Sequence, residues 1–386
     1  MKRENARIRP DYYDKFSCIA DRCPITCCQE WKIAVDTKTY QSWKTLEPPD
    51  TVKERRDTLS AYTKTKDEDL VIALDADHRC PFLAENKLCR LVVSYGDEVL
   101  SETCTVFPRE VHVFEHHEEE TLMPCCPAVI DLWKTAGKVD FPEVPEGIDR
   151  SESETVLFLI RKKMLQLLQN TEKSIEEILL ESFYILLEFR KTYPTEEIVT
   201  EYFSKETVEE LQMAVCEVEI PLADTIVECN ELLQDLAVNY CREELYRGFL
   251  NPVIEEAESL SNDFNEEVLT KQWRLFVRQF KEFEPLFRCY LRNEVFSDLV
   301  MPGGNMEQSI MQLQWIAMTY TAIRQSLFLY WMKEGCGELG YETVRDYIVV
   351  ISRMMGYDEE DIEEYLENSF EMLIWDWGYF ALIVGR

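Results

Sequence analysis

Nine of the fourteen cysteines in this 386-residue chain fall within its first third, at Cys18, Cys23, Cys27, Cys28, Cys80, Cys89, Cys104, Cys125 and Cys126. Thiolates are the strongest side-chain ligands for zinc and iron–sulfur clusters, and short spacings let one loop present several to one metal. Such a concentration is not core filling, and it points to a metal- or cluster-binding module. Cys27 and Cys28 are adjacent, and neighbouring residues of an extended chain face opposite ways. They can bridge two metals, serve two sites, or divide between metal and structure. Eight thiolates suffice for two four-cysteine zinc sites, or for one [4Fe-4S] cluster with four thiols to spare. Spacing leaves these alternatives open.

The chain is long enough for two domains, and its apolar share of 46% is that of a folded protein. A formal charge of −33, spread along the chain, disfavours nucleic acid and anionic membrane as partners. It suits a lysine-bearing protein partner, or simply a solubilising surface. The basic start lacks the apolar run of a secretory signal, and no stretch reaches about eighteen apolar residues. A soluble, cytoplasmic protein is expected. In a reducing compartment clustered cysteines are ligands or redox groups rather than disulfides.

The first 150 residues read as irregular, with short strands expected at residues 31–36 (WKIAVD), 70–74 (LVIAL) and 91–95 (LVVSY). Residues 48–69 read as part helix, part loop, and residues 141–147 (FPEVPEG) as a linker. Beyond it the apolar period becomes helical. Ser174 and Glu177 form a capping-box pattern ahead of residues 175–189. Further amphipathic stretches cover residues 156–168, 196–203, 222–240, 266–295, 306–333, 342–355 and 359–377. The expected fold is mainly α: a small irregular α+β cysteine-rich metal-binding domain (1–148), then an all-α helical domain (149–386) of seven or eight helices.

The five later cysteines stand singly and read as core thiols, and the aromatics as core. His78, two residues before Cys80, reads as a surface residue with a ligand role as the alternative; the His116–His117 pair reads as solvated. No GxGxxG loop, P-loop, HExxH or GxSxG elbow is present. Any catalysis is built on the cysteine centre or on a pocket without a sequence signature.

Four pieces carry a resemblance: residues 10–40 (PDYYDKFSCIADRCPITCCQEWKIAVDTKTY), 79–91 (RCPFLAENKLCRL), 100–110 (LSETCTVFPRE) and the Cys126–Pro127 segment before a helix. In this order they resemble the flagellin lysine-N-methylase family, within the wider CxxCxxCC cysteine-cluster group. Residues 290–299 (YLRNEVFSDL) continue the resemblance more weakly. The resemblance implies methyl transfer from S-adenosylmethionine to lysine ε-amines of flagellin, with an iron–sulfur cluster ([4Fe-4S]) or zinc held by cysteines. The matching ligands are Cys18, Cys23, Cys27, Cys28, Cys80, Cys89, Cys104 and Cys126. Arg109 also matches, as a residue that can hold a carboxylate in the fold or touch substrate. One departure stands out: Ala128 replaces an acid where the family usually reads Ser-Cys-Pro-Glu.

A lysine is protonated near neutral pH and must lose its proton before it attacks a sulfonium methyl. An acidic, partly buried pocket with a tyrosine or carboxylate serves that need, but the sequence singles out no base. Two other classes of function fit the residues: a non-catalytic metal-binding protein with a helical interaction domain, and an iron–sulfur redox enzyme of other substrate.

Overall fold

The computed structural model of the protein describes residues 6–66, 69–137, 139–145, 148, 150–262 and 264–385. Glu146 and Gly147 of the expected linker, and residue 149 at the expected boundary, lie outside them. Short elements come first: β1 (Ala6–Ile8), α1 (Thr37–Trp43), β2 (Thr63–Lys66), β3 (Asp69–Ile72), α2 (Arg90–Tyr95), α3 (Glu102–Val106), β4 (Arg109–Val113), β5 (His117–Leu122) and α4 (Pro127–Ala136). Helices follow: α5 (Glu152–Leu167), α6 (Ile175–Thr192), α7 (Glu196–Tyr202), α8 (Lys205–Glu217), α9 (Leu222–Arg242) and α10 (Arg247–Asn262). The last are α11 (Glu266–Phe280), α12 (Glu284–Asp298), α13 (Met306–Lys333), α14 (Tyr341–Met355), α15 (Glu359–Phe370) and α16 (Trp377–Val384). The mainly α fold with a small α+β start is as expected.

The helical part is more divided than its apolar period implied. Residues 266–295 form two helices, because Pro285 in the first turn of α12 lacks an N–H and starts a new helix after a single 3-10 turn. Residues 359–377 likewise break after Phe370, and α8 and α10 were not anticipated. The capping box at Ser174 and Glu177 is present, and similar boxes open α5 and α13. α13 is buried on nearly all sides and runs through the centre of the helices, against α6, α9, α10 and α14.

The strands differ from expectation. Residues 91–95 belong to helix α2, held between Cys89 at its start and Gly96 at φ +81° after its end. Residues 31–36 run beside β3 with two backbone hydrogen bonds (Val35 to Leu70, 2.8 Å; Ile72 to Ile33, 2.9 Å) but no regular ladder. Within 48–69 there is a 3-10 turn and strand β2, paired with β3, in place of a helix. A three-stranded sheet in the order β1–β5–β4 was not anticipated, because HEEETL lacks an apolar alternation and the alternating valines of REVHV, Val111 and Val113, form its exposed face.

Two cores result. The smaller gathers Ile33, Val35, Trp43, Leu59, Tyr62 and Phe82. The larger continues from Tyr12, Leu122 and Val129 into the helices. Buried polar pairs tie the sheet to the helices. Arg161 of α5 donates twice to Glu119 of β5 at 2.6 Å and once to the Phe296 carbonyl at 2.9 Å. Burial pushes the Glu119 carboxyl up, but Arg161 and His117 outweigh it and hold the group down at about 2. The pair's contribution is therefore fully present above the ordinary value of 4.5 and is lost as pH falls toward about 2. Arg161→Leu strands a buried carboxylate and is expected to cost about 3–5 kcal/mol in urea unfolding at pH 7. Adding Glu119→Gln should recover part of that loss, and no recovery would contradict the ion-pair account.

Candidate metal centre and active site

The cysteines are divided between the surroundings of the two cores. Cys28, Cys80, Cys89 and Cys104 surround the smaller core. The Cys80 N–H donates to the Cys28 carbonyl at 2.8 Å, and Glu30 to the His78 carbonyl at 2.8 Å, so the 27–30 segment lies along 78–80. After Pro81 the chain turns back through Lys87 at φ +62°, and the Leu83–Cys89 bridge closes a loop that returns Cys89 toward Cys80. Cys104 stands in the first turn of α3, where its N–H is capped by Ser101 at 3.3 Å. Burial pushes the Cys80 thiol far up, with Cys28, Cys104 and Cys89 adding their charge to the same effect. Cys104 is pushed up by burial to about 11, and Cys89 in the same direction. These thiols stay protonated near neutral pH, so a metal that binds them must displace protons.

Cys18, Cys23 and Cys126 lie toward the larger core. Cys126 sits immediately before Pro127 at the start of α4, and burial pushes its thiol up to about 12, against hydrogen bonds from the Ala128 and Val129 N–H groups. Cys23 acts electrostatically on Cys126, and Cys18 on Cys23. Cys18 is exposed, and the Cys23 S–H donates to the Ile25 carbonyl at 3.3 Å. Cys27 is at the seam: its thiol hydrogen-bonds with that of Cys28, the largest cause of the rise in Cys28. Sulfur donors of this kind suit zinc or an iron–sulfur cluster; among the described residues no three of the thiols lie within 4.8 Å of one another.

Arg353 of α14 holds this loop in place. Its guanidinium donates to the carbonyls of Cys125 (2.9 Å), Thr26 (3.2 Å) and Ile25 (3.0 Å), and lies 5.4 Å from the Trp31 ring. Cys125, the ninth cysteine of the region, is fully buried, and its electrostatic neighbours include Arg353, Cys126, Glu110 and Glu294.

Those two glutamates belong to a buried acidic site. Glu110 and His112 point to one face of β4, and Glu294 and Asp298 share one face of α12 by their i,i+4 spacing. His112 Nε2 lies 3.6 Å from Asp298 and 3.9 Å from Glu110 and has no hydrogen-bond partner in good geometry. Among the described residues, Glu110, His112 and Asp298 are the one trio of His, Cys, Asp or Glu ligand atoms within 4.8 Å of one another. Ser297 donates to Glu110 at 2.9 Å, and Asn293 to Glu294 at 3.0 Å.

Burial raises Glu294 strongly, and the Asp298 charge adds to it. Glu110 is pushed up to about 7 by burial and Asp298, against the opposing charge of His112. For His112, burial alone would lower the pKa, but Asp298 and Glu110 outweigh it and raise it. Glu294 and Asp298 line a narrow cavity walled by Trp315 and Tyr357. Its rim includes Met301 and Gly356, from the loops that precede α13 and α15. Cys125 and Glu294 both act electrostatically on Tyr357, so the cavity adjoins the cysteine region.

Other singled-out residues fall as follows. Arg109 stacks over Phe16 (5.3 Å) and Tyr13 (5.9 Å). Ala128 is buried in α4. His78 is half-buried, in a turn at φ +54°. His117 is buried, not solvated, because it stacks on Phe114 at 4.6 Å and approaches Glu119 at 3.4 Å. Of the later cysteines Cys229 and Cys289 are core thiols, whereas Cys216 and Cys241 are exposed on helix surfaces.

Fold and site together define a helix-rich protein with a cysteine-lined junction beside a buried acid cavity. The family described as FliB lysine N-methylase C-terminal domain matches residues 161–383, which include α12, Arg353 and Tyr357. The chain is 31% identical over 121 residues to "Flagellar biosynthetic protein FliU" of Salmonella muenchen, covering 31% of this chain and 72% of that protein. It has the same identity over 121 residues to "Lysine-N-methylase" of Salmonella typhimurium and of Salmonella choleraesuis, in each case spanning only 30% of the relative. No solved structure matches. The chain belongs to the FliB lysine N-methylase family.

The raised Glu110 gives the acid site a pH signature. Its favourable term is fully present below the ordinary 4.5 and is lost as pH rises through about 7. Glu110→Gln is therefore expected to stabilise the protein by about 1–3 kcal/mol at pH 8, and by little at pH 4.5. Chemical unfolding at both pH values checks this; equal effects would show that Glu110 is not a strained acid.

Proposed function

We propose that the protein is a protein-lysine N-methyltransferase that transfers the methyl group of S-adenosylmethionine to lysine ε-amines of flagellin. The observation that carries this reading is the buried cluster of Glu110, His112 and Asp298 with Glu294 on the same helix face, beside a cavity with aromatic walls. Family membership supports lysine as the substrate, and the printed name of the FliU relative supports flagellin. The net charge of −33 favours encounter with a lysine-bearing partner.

In this reading Glu294 and Asp298 receive the substrate ammonium, and the incoming cation favours the ionised form of Glu294 that burial disfavours. Glu110, relayed through Asp298 and His112, takes up the proton, since a group that titrates near 7 can act as a base at neutral pH. The free amine then attacks the sulfonium methyl: a C–N bond forms as the C–S bond breaks, and S-adenosylhomocysteine leaves. The methylated amine returns its charge to the carboxylates. Tyr357 and Trp315 flank the cavity and exclude water.

The eight cysteines Cys18, Cys23, Cys27, Cys28, Cys80, Cys89, Cys104 and Cys126 would hold the iron–sulfur or zinc centre of this reading. When bound, such a centre supplies a Lewis-acidic or redox-active group and rigid cross-links among the loops. Action in the cytoplasm belongs to the same proposal; among the described residues, no helix is long and apolar enough to cross a membrane.

Purified protein incubated with flagellin and S-adenosylmethionine should add one or more methyl masses to flagellin lysines in peptide mass spectrometry. Glu294→Gln should lower kcat about 100-fold or more, and the wild-type rate should rise with pH through a limb near 7. Unmodified flagellin under these conditions, with the metal-loaded protein, would refute the activity. An unaffected Glu294→Gln would refute the assigned site.

A further inference from the structure

We propose that the open edge of β4 is the docking site for the protein substrate: an extended segment pairs with it as a further strand of the sheet and sets a lysine, flanked by apolar residues, opposite His112. This rests on the reading that the site of Glu110, His112, Asp298 and Glu294 receives a substrate lysine.

β4 closes one side of the β1–β5–β4 sheet, and among the described residues no strand lies beyond it. Two backbone bonds bracket its ladder to β5: the Phe114 N–H donates to the His117 carbonyl at 2.9 Å, and the Met123 N–H to the Pro108 carbonyl at 2.8 Å. Antiparallel pairs alternate, so Glu110 and His112 also bond to β5, while Arg109, Val111 and Val113 turn their N–H and C=O groups to the free edge. Among the described residues no backbone partner reaches those groups. Native edges are usually blunted by charge or by a covering element. Here the middle and end of the strand instead expose Val111 (43%) and Val113 (58%). An edge of this kind offers an incoming strand main-chain bonds for affinity and side-chain contacts for specificity.

The other face of the same strand selects the occupant. Glu110 and His112 point toward α12, where Ser297 donates to Glu110 at 2.9 Å and Asp298 lies 3.6 Å from His112 Nε2. The side chains of Glu110, His112 and Asp298 keep between 12 and 16% exposure, so the cluster is reached from the surface and is not sealed. Glu359, at the start of α15, feels the His112 charge and adds a further acid to this margin. In a paired strand the residue opposite His112 stands on the same face, with its Cβ about 4.5–5.5 Å away. A lysine there runs its cation toward Asp298, one turn of α12 from Glu294, among charges of the opposite sign. Its two neighbours fall on the opposite face, beside Val111 and Val113, so apolar residues on both sides of the lysine complete the match. A second copy of this chain offers the edge only REVHV, which has no lysine to place opposite His112.

The test is amide hydrogen exchange, resolved by residue, on the full-length wild-type protein with and without flagellin. In the free protein the N–H groups of Arg109, Val111 and Val113 should exchange fast, and those of Glu110, His112 and Phe114 slowly. Flagellin should slow the first three by about tenfold or more and leave the second three as they were. Val113→Pro removes one edge N–H and keeps the bonds to β5; it should raise KM for flagellin about three- to tenfold with kcat little changed. A peptide with valine on both sides of its lysine should be methylated in preference to the same peptide with glycine there. Flagellin methylated while the three edge amides stay fast would overturn the docking. So would edge amides already slow in a free protein that sediments as a dimer, since a second copy would then hold the edge. Edge protection by flagellin without methyl transfer would uphold the docking and refute the proposed activity. Flagellin that neither protects the edge nor gains methyl groups would refute both.

Discussion

One guanidinium joins the cysteine region to the helices. Arg353 is buried on α14 and donates to the backbone carbonyls at 25, 26 and 125. A buried arginine is costly unless its donors are matched, and here carbonyls rather than a carboxylate match them. Among the described residues its positive charge has no ion-pair partner, and it acts electrostatically on Cys23, Cys28, Cys125 and Cys126. The position of the 23–28 loop, the start of α4 and the electrostatics of the thiols all follow from this anchor.

The acid site is the reverse case, with carboxylates held together at some cost. Glu110, Glu294 and Asp298 repel one another in a buried setting, and His112 offsets only part of their charge. The rest of the fold carries that cost through the sheet-to-helix ties, among them Arg161 with Glu119 and the hydrogen bond from Tyr12 to Asn293 beside Glu294. A site that receives a cation when loaded has reason to be short of positive charge when empty. The same shortage explains why Glu110 titrates near 7 and can exchange protons at neutral pH.

The helices were legible from apolar period and capping residues, as at Ser174 and Glu177, because burial on one face writes itself into spacing. Strands β4 and β5 were not, since they bury charged residues whose partners, such as Arg9 for Glu120 and Arg161 for Glu119, lie far off in sequence. The cysteine order was legible, but its division was not: which thiol borders which core depends on the return of the 80–89 loop and on Arg353, more than 200 residues away. The acid site left a faint signal. Glu110 and His112 are two apart and Glu294 and Asp298 four apart, the spacings of one strand face and one helix face, in pieces already singled out. Nothing in the sequence alone pairs those two faces.

In the proposed function the lysine ammonium sits on the Glu294–Asp298 side of the cavity, next to the cysteine junction. A crystal structure of the metal-loaded protein with S-adenosylhomocysteine and a flagellin peptide measures this directly. The substrate Nζ is expected within hydrogen-bonding distance of Glu294 or Asp298, with Tyr357 alongside. A lysine bound elsewhere, with these carboxylates still buried and untouched, would contradict it.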